Sequence, residues 1–215
     1  KIAAHMLEAA DGDMEFADGR FTVAGTDRSV GIMEVAKIAF ITGRLPRDME
    51  PGLYETGTWE PSVPNFPNGA HVCELEIDPE TGDVEIVRYS VVDDVGVVIN
   101  PLLLKGQIVG GIAQGVGQAL MENFNYDGAG QVLSGSFMDY CMPRADDICS
   151  VEITANGVPT ATNPLGVKGA GEAGCVGALP AVMCAINDAL TPLGAPYVEM
   201  PATSEKLWRA INSAS

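Results

Sequence analysis

The chain has 215 residues, 47% of them hydrophobic and 19% charged, so it can bury a sizeable core and is not a disordered segment. Twelve Lys and Arg against 29 Asp and Glu give a formal net charge of −17, which argues against nucleic acid or anionic membranes as partners. No apolar run reaches the roughly 18–20 residues of a membrane span. Five cysteines without a CxxC pair, and only two histidines, argue against a disulfide framework, a zinc site or an iron–sulfur site. A reducing cytoplasm fits this cysteine usage. Lys1 opens in what reads as mid-helix, with no Met and no signal peptide, as expected of a piece of a longer protein.

In chain order, residues 1–10 read as the end of an amphipathic helix with Ile2, Met6 and Leu7 on one face. Residues 14–23 read as a hairpin turning at Asp18-Gly19. Ser29 is placed to cap a helix over 33–40 that Gly43 would end. Residues 44–69 hold five prolines and read as a long loop, with Tyr54, Trp59 and Phe66 plugging it onto the body.

Residues 71–77 and 84–93 alternate as a β pair around the turn 79–82. An apolar, Gly-rich helix is expected from about Leu104 to Asn123, and a turn at 127–130. Short strands follow near 131–138 and 151–155. A Gly-rich loop spans 164–177, leading into a helix to Leu190 with Pro180 in its first turn, and 204–214 form a last helix.

Two segments carry chemistry. In the first, Gly106, Gly110, Gly111, Gly115 and Gly117 lie in one helix, at a cost of roughly 1 kcal/mol each relative to Ala. Such a cost is tolerated where something approaches the backbone closely. Gln107, Gln114 and Gln118 form a polar stripe on the same, otherwise apolar helix, and as buried amides in need of partners they suit a planar ligand rich in donors and acceptors. A close helix–helix contact, with the glutamines bonded to nearby backbone, explains the spacing equally well.

In the second, Glu172 sits among Gly169, Gly171 and Gly174 just before a helix. A lone carboxylate among small apolar residues is a candidate general base, because desolvation raises its pKa; a helix N-terminus or Lys168 would push the other way. A solvated glutamate in a flexible loop is the more common outcome of such spacing. Gly169-x-Gly171-x-x-Gly174 also fits a dinucleotide fingerprint literally. No buried strand precedes Gly169, and Asp188 falls inside a helical run, so a nicotinamide-dependent dehydrogenase is rejected.

Together, GQIVGGIAQGVGQALMENFNYD (106–127), GSFMDYCMPRADD (135–147) and NPLGVKGAGEAGCVGALPAVMCAINDAL (163–190) resemble the C-terminal end of the molybdenum-hydroxylase large subunit. This is the family of xanthine dehydrogenase, aldehyde oxidoreductase and carbon monoxide dehydrogenase. Residues 1–40 resemble the lead-in to that region.

The resemblance implies an α+β, C-terminal molybdenum-cofactor-binding domain over 1–215, with mixed sheets and packed Gly-rich helices. It implies molybdopterin, as the cytosine dinucleotide in bacterial members, carrying molybdenum that no protein side chain ligates. It implies Glu172 as general base in hydroxylation of a small molecule by water-derived oxygen. It places Gln107, Gln114, Lys168, Gly169, Ala170 and Gly171 along the cofactor. The 2Fe–2S and FAD centres are then expected on partner chains or domains, in a dimer of heterotrimers. Ala-Gly after Glu172, where xanthine-type enzymes have paired prolines, tilts the reading toward aldehyde, aromatic-heterocycle or carbon-monoxide-like substrates. By itself the chain is expected to be inert and cofactor-free.

The rival is a non-enzymatic assembly domain whose glycines serve only close packing between subunits. It allows Gln107 and Glu172 to lie far apart, whereas the enzyme reading puts them on one concave surface. Cys175 reads as a small packing residue, Cys141 and Cys184 as core, His71 as a strand start, Asp93-Asp94 as a solvated strand end, and Arg144 as a partner for Asp146 or Asp147.

Overall fold

The structure, a computed structural model, describes residues 1–214. The chain divides into two compact units, 1–60 and 61–215.

The first unit holds helix α1 (Ile2–Met6), strands β1 (Met14–Ala17), β2 (Arg20–Val23) and β3 (Ser29–Gly31), and helix α2 (Ile32–Ala39). The strands form an antiparallel sheet in the order β1-β2-β3. The hairpin turns where expected: Asp18 and Gly19 both have positive φ, 49° and 73°, as a tight primed turn requires. Ile2, Ala3, Val30, Val35, Ala39 and Leu45 make a small core. Ser29 does not cap α2. It lies in β3 and accepts from Arg20 Nη2 at 2.8 Å. The cap is Gly31, whose N–H donates to Glu34 Oε2 at 3.0 Å. Gly43 does not end α2 either, since the helix stops at Ala39 and Gly43 sits in a separate single turn.

The second unit is built on a mixed sheet of β4 (Asn68–Ile77), β5 (Val84–Asp94) and β6 (Val151–Ala155). β4 and β5 pair antiparallel, and β6 joins β5 in parallel. Helices α3 (Pro101–Leu120), α4 (Ala173–Leu190) and α5 (Ser204–Ser213) complete it. Inward-facing Ile86, Tyr89 and Val91 of the sheet meet Ile108, Ile112 and Val116 of α3, Val182, Ile186 and Leu190 of α4, and Leu207 of α5. This gives the expected α+β arrangement, with the sheet alternating between buried and exposed positions.

α3 starts earlier than the glycine pattern implied. Asn100 Oδ1 accepts from the N–H of Leu102 and Leu103 at 3.0 and 3.2 Å, and Pro101 takes the first helical position, where no N–H is needed. α4 starts at Ala173, inside the expected loop, so Pro180 lies in its interior rather than its first turn. The expected strand over 131–138 is reduced to one bridge between Tyr126 and Val132. Ser136 turns the chain instead: its hydroxyl donates to Asp139 Oδ2 at 2.7 Å while its carbonyl accepts from Tyr140 N–H at 2.8 Å. Tyr54, Trp59 and Phe66 are exposed rather than plugs, and so are Cys141 and Cys184. α4 is also long and apolar enough to cross a bilayer by length and composition, although the sequence shows no unbroken apolar run. Its buried face packs in the core just described.

Candidate functional site

The crossing of α3 and α4 divides the glycines into two classes. A Cβ at Gly111 would lie 2.8 Å from the Cys175 nitrogen, and one at Gly115 would lie 2.6 Å from Ala178 Cβ. A Cβ at Gly174 would overlap the Ile108 carbonyl oxygen. These three glycines let two helix backbones touch. Gly106 and Gly110, on the other side of α3, have open space where a Cβ would stand, as do Gly169 and Gly171. Nothing in the fold requires these four to be glycine by contact.

The open face of α3 carries Leu103, Gly106, Gln107, Gly110, Gln114 and Gln118, all exposed. The glutamines are therefore not buried amides in need of partners, contrary to the sequence reading. They stand outward beside a strip of bare backbone.

The Glu172 loop is anchored on one side and free on the other. Lys168 N–H donates to the Val95 carbonyl at 2.9 Å, and Val97 N–H to the Gly166 carbonyl at 3.0 Å. Asn163 closes the loop on itself, donating from Nδ2 to the Val167 carbonyl at 2.9 Å. Lys168 turns its ammonium inward to Asp94 Oδ2 at 2.6 Å, while Asp94 Oδ1 accepts from Gly96 and Val158 N–H at 2.9 and 2.8 Å. The Lys168 ammonium, followed by these backbone donors, holds the Asp94 carboxyl down at about 2. After this anchor, Gly169 and Gly171 are exposed and Ala170 is half-buried. Glu172 is exposed at the start of α4, so the described residues do not supply the desolvated pocket that the sequence reading gave it.

Glu172 rims a cleft of about 260 Å³, lined also by Phe66, Asn68, His71, Asp93 and Val176. Gln107 does not line this cleft. It adjoins Ile108, whose carbonyl abuts Gly174, so Gln107 and Glu172 flank the same end of the helix crossing.

Two residues of the cleft were misread from sequence. Asp93 is 2% exposed, not a solvated strand end, and its neighbour Asp94 is the partner of Lys168. His71 is no mere strand start. Its Nε2 lies 3.5 Å from Asp93 Oδ1 and its Nδ1 2.8 Å from the Tyr89 hydroxyl, so a buried Tyr–His–Asp row runs beneath α4. Burial pushes the Asp93 carboxyl up from its ordinary range, and His71 pulls it back. The signal missed was the alternation of β4 and β5, which faces His71, Tyr89 and Asp93 inward together. Arg144 is engaged through its backbone, its N–H donating to Asp147 Oδ2 at 2.6 Å. Among the described residues, no three His, Cys, Asp or Glu gather as metal ligands.

The profile of the molybdopterin cofactor-binding domain matches residues 1–149. The chain belongs to this family. It is 42% identical over 97% of its length to the nicotine 6-hydroxylase large subunit of Paenarthrobacter nicotinovorans. It is 36% identical over 97% of its length to the carbon monoxide dehydrogenase large chain of Afipia carboxidovorans. It spans 26% of each of these relatives. The crystal structure of quinoline 2-oxidoreductase from Pseudomonas putida 86 superposes with a TM-score of 0.83, at 37% identity, over 98% of this chain and 27% of that one. The molybdenum-hydroxylase resemblance and the α+β fold are thus borne out, and the chain is a piece of a large subunit of this type.

A molybdopterin group fits the residues present. A Cβ at Gly106, Gly110, Gly169 or Gly171 would meet open space, so a flat group can approach the backbone at both segments, and among the described residues the amides of Gln107 and Gln114 are left exposed to bond it.

Proposed function

We propose that this chain contributes one wall of the active site in a molybdenum-dependent hydroxylase, with Glu172 as the general base. The observation that carries the reading is the open glycine surface. Four glycines that the fold does not need lie beside Glu172 and Gln107, in a family defined by cofactor binding. The bound group would be molybdopterin cytosine dinucleotide with molybdenum, supplying two-electron redox chemistry and an oxygen-transfer centre.

The protein's own residues do the rest. Gln107 and Gln114 hydrogen-bond the pterin through their amides. Gly169, Ala170 and Gly171 let backbone approach it, and Lys168 fixes that stretch by its bond to Asp94. Glu172 accepts a proton at a carboxylate oxygen as water-derived oxygen passes to the substrate carbon. The remainder of the large subunit covers Glu172 and excludes water, because the described residues leave it exposed. The substrate is an aldehyde, aromatic heterocycle or CO-like small molecule. 2Fe–2S and FAD centres on partner chains carry electrons away, in a bacterial, cytoplasmic dimer of heterotrimers. The 215-residue chain by itself neither holds the cofactor nor turns over.

The test is Glu172→Gln in the full-length parent enzyme, with molybdenum and released cytidine nucleotide measured per chain beside turnover. Retained cofactor with nearly all turnover lost is expected, since one general base contributes about 10²–10⁴-fold. Normal turnover by the variant, or a parent without molybdenum, refutes the assignment. Stoichiometric cofactor in the isolated chain refutes the last statement.

A further inference from the structure

The Tyr89–His71–Asp93 row is not needed by any step above, and stability alone gives no reason for it. A buried polar cluster usually does no better than well-packed apolar residues of the same volume. Among the described residues, Asp93 Oδ2 is buried without a hydrogen-bond partner, which makes the arrangement costly. The fold nevertheless makes room for it twice. A Cβ at Gly69 would overlap Asp93 Oδ1, and a Cβ at Gly177 would lie 2.5 Å from His71 Cδ2, Cε1 and Nε2. The imidazole therefore sits where the side chain of residue 177 would go, with the α4 backbone resting on it.

Gly177 is five residues, just over one turn, beyond Glu172. A helix is stiff over that distance, so the ring sets where the first turns of α4 lie. Glu172, Ala173, Val176 and Gly177 line the same cleft as His71 and Asp93. We propose that His71, held by Asp93 and Tyr89, is a positioning residue that props the N-terminal turns of α4 and so aims Glu172. This rests on the reading of Glu172 as base. Asp93 Oδ1 and the Tyr89 hydroxyl hold the ring at both nitrogens, fixing its plane as well as its place. Removing the ring opens a gap into which α4 settles, carrying the carboxylate with it.

The experiment uses the full-length parent enzyme. His71→Ala and the isosteric Asp93→Asn are compared with Glu172→Gln for kcat, KM and molybdenum per chain. Both positioning variants are expected to lose about 10- to 100-fold in kcat, the cost of a displacement of about 1 Å, with KM and molybdenum unchanged. Gly177→Leu in the His71→Ala background refills the space of the ring and is expected to restore kcat severalfold. Two results overturn the proposal. One is kcat within twofold of wild type in His71→Ala and Asp93→Asn while Glu172→Gln is inactive. The other is activity lost only in proportion to molybdenum, which makes the row a folding or loading element. Normal turnover by Glu172→Gln is a different failure, that of the base assignment itself.

Discussion

Replacing glycine by alanine at two places in the α3–α4 pair should move stability in opposite directions. Gly110 lies in the middle of α3, and among the described residues nothing outside the adjoining turns of the helix stands within 4 Å of where its methyl group would go. Alanine there gains helix propensity, about 1 kcal/mol, and meets no neighbour. For a chain of this size that raises the melting temperature by about 2–4 °C. Gly174 is the second residue of α4, where propensity gains little. Its methyl would overlap the Ile108 carbonyl oxygen and lie 3.0 Å from the Ile112 nitrogen, and backbone cannot swing aside as a side chain can. The helices must part, loosening Ile108, Ile112 and Val182, at about 1–3 kcal/mol of overpacking. The melt then falls by about 2–12 °C. Thermal unfolding of the 215-residue chain, followed by far-UV circular dichroism, reads both. Gly174→Ala melting as high as wild type would refute the close crossing. Gly110→Ala melting lower would refute the open outer face.

The same Gly110→Ala in the full-length parent tests the cofactor cradle. Molybdenum per chain should fall although the fold is more stable, and unchanged loading would count against a cofactor on that face. Acid stability should depend on Lys168. The Asp94 carboxyl is depressed from 3.8 to about 2, so its contribution is present above pH 3.8 and lost as pH falls toward 2. Lys168→Met should flatten the unfolding free energy across that window, measured by urea titration, and an unchanged slope would argue against the pair. Thiol labelling should be selective. Burial first, then Cys149 and Glu74, push the Cys73 thiol up to about 11, whereas Cys141 and Cys184 are exposed. Iodoacetamide at pH 8, read by peptide mass spectrometry, should modify Cys141 and Cys184 well before Cys73.

Periodic segments were legible from sequence because one face of each is buried by its neighbours. β4, β5, α3 and α5 show that pattern and lie near their expected bounds. What stayed hidden was long-range or polar. Asn100 as a helix cap is one short side chain reaching two backbone donors. The row His71, Tyr89 and Asp93 joins two strands across the sheet, and only their register reveals that the three face the same way. The strand expected over 131–138 failed because Ser136 binds its own turn more locally than any neighbouring strand could. The glutamine stripe was read correctly as one face and wrongly as buried, since spacing shows which residues share a side but not what covers it.

The two classes of glycine bear on the rival readings of this chain. If glycines served packing alone, each should stand against a neighbour. Gly111, Gly115 and Gly174 do, and they do so within the chain, between α3 and α4, rather than toward another subunit. Gly106, Gly110, Gly169 and Gly171 do not. Gly106 and Gly110 flank the exposed Gln107, and Gly169 and Gly171 precede the exposed Glu172, while the Lys168–Asp94 pair that anchors the latter loop and the His71–Asp93 pair under α4 are largely enclosed. A surface built this way has its supports satisfied or enclosed from below and its reactive groups bare above. That asymmetry accords with the proposed role of Glu172, since close packing alone gives no reason for bare glycines just before an exposed carboxylate at the head of α4.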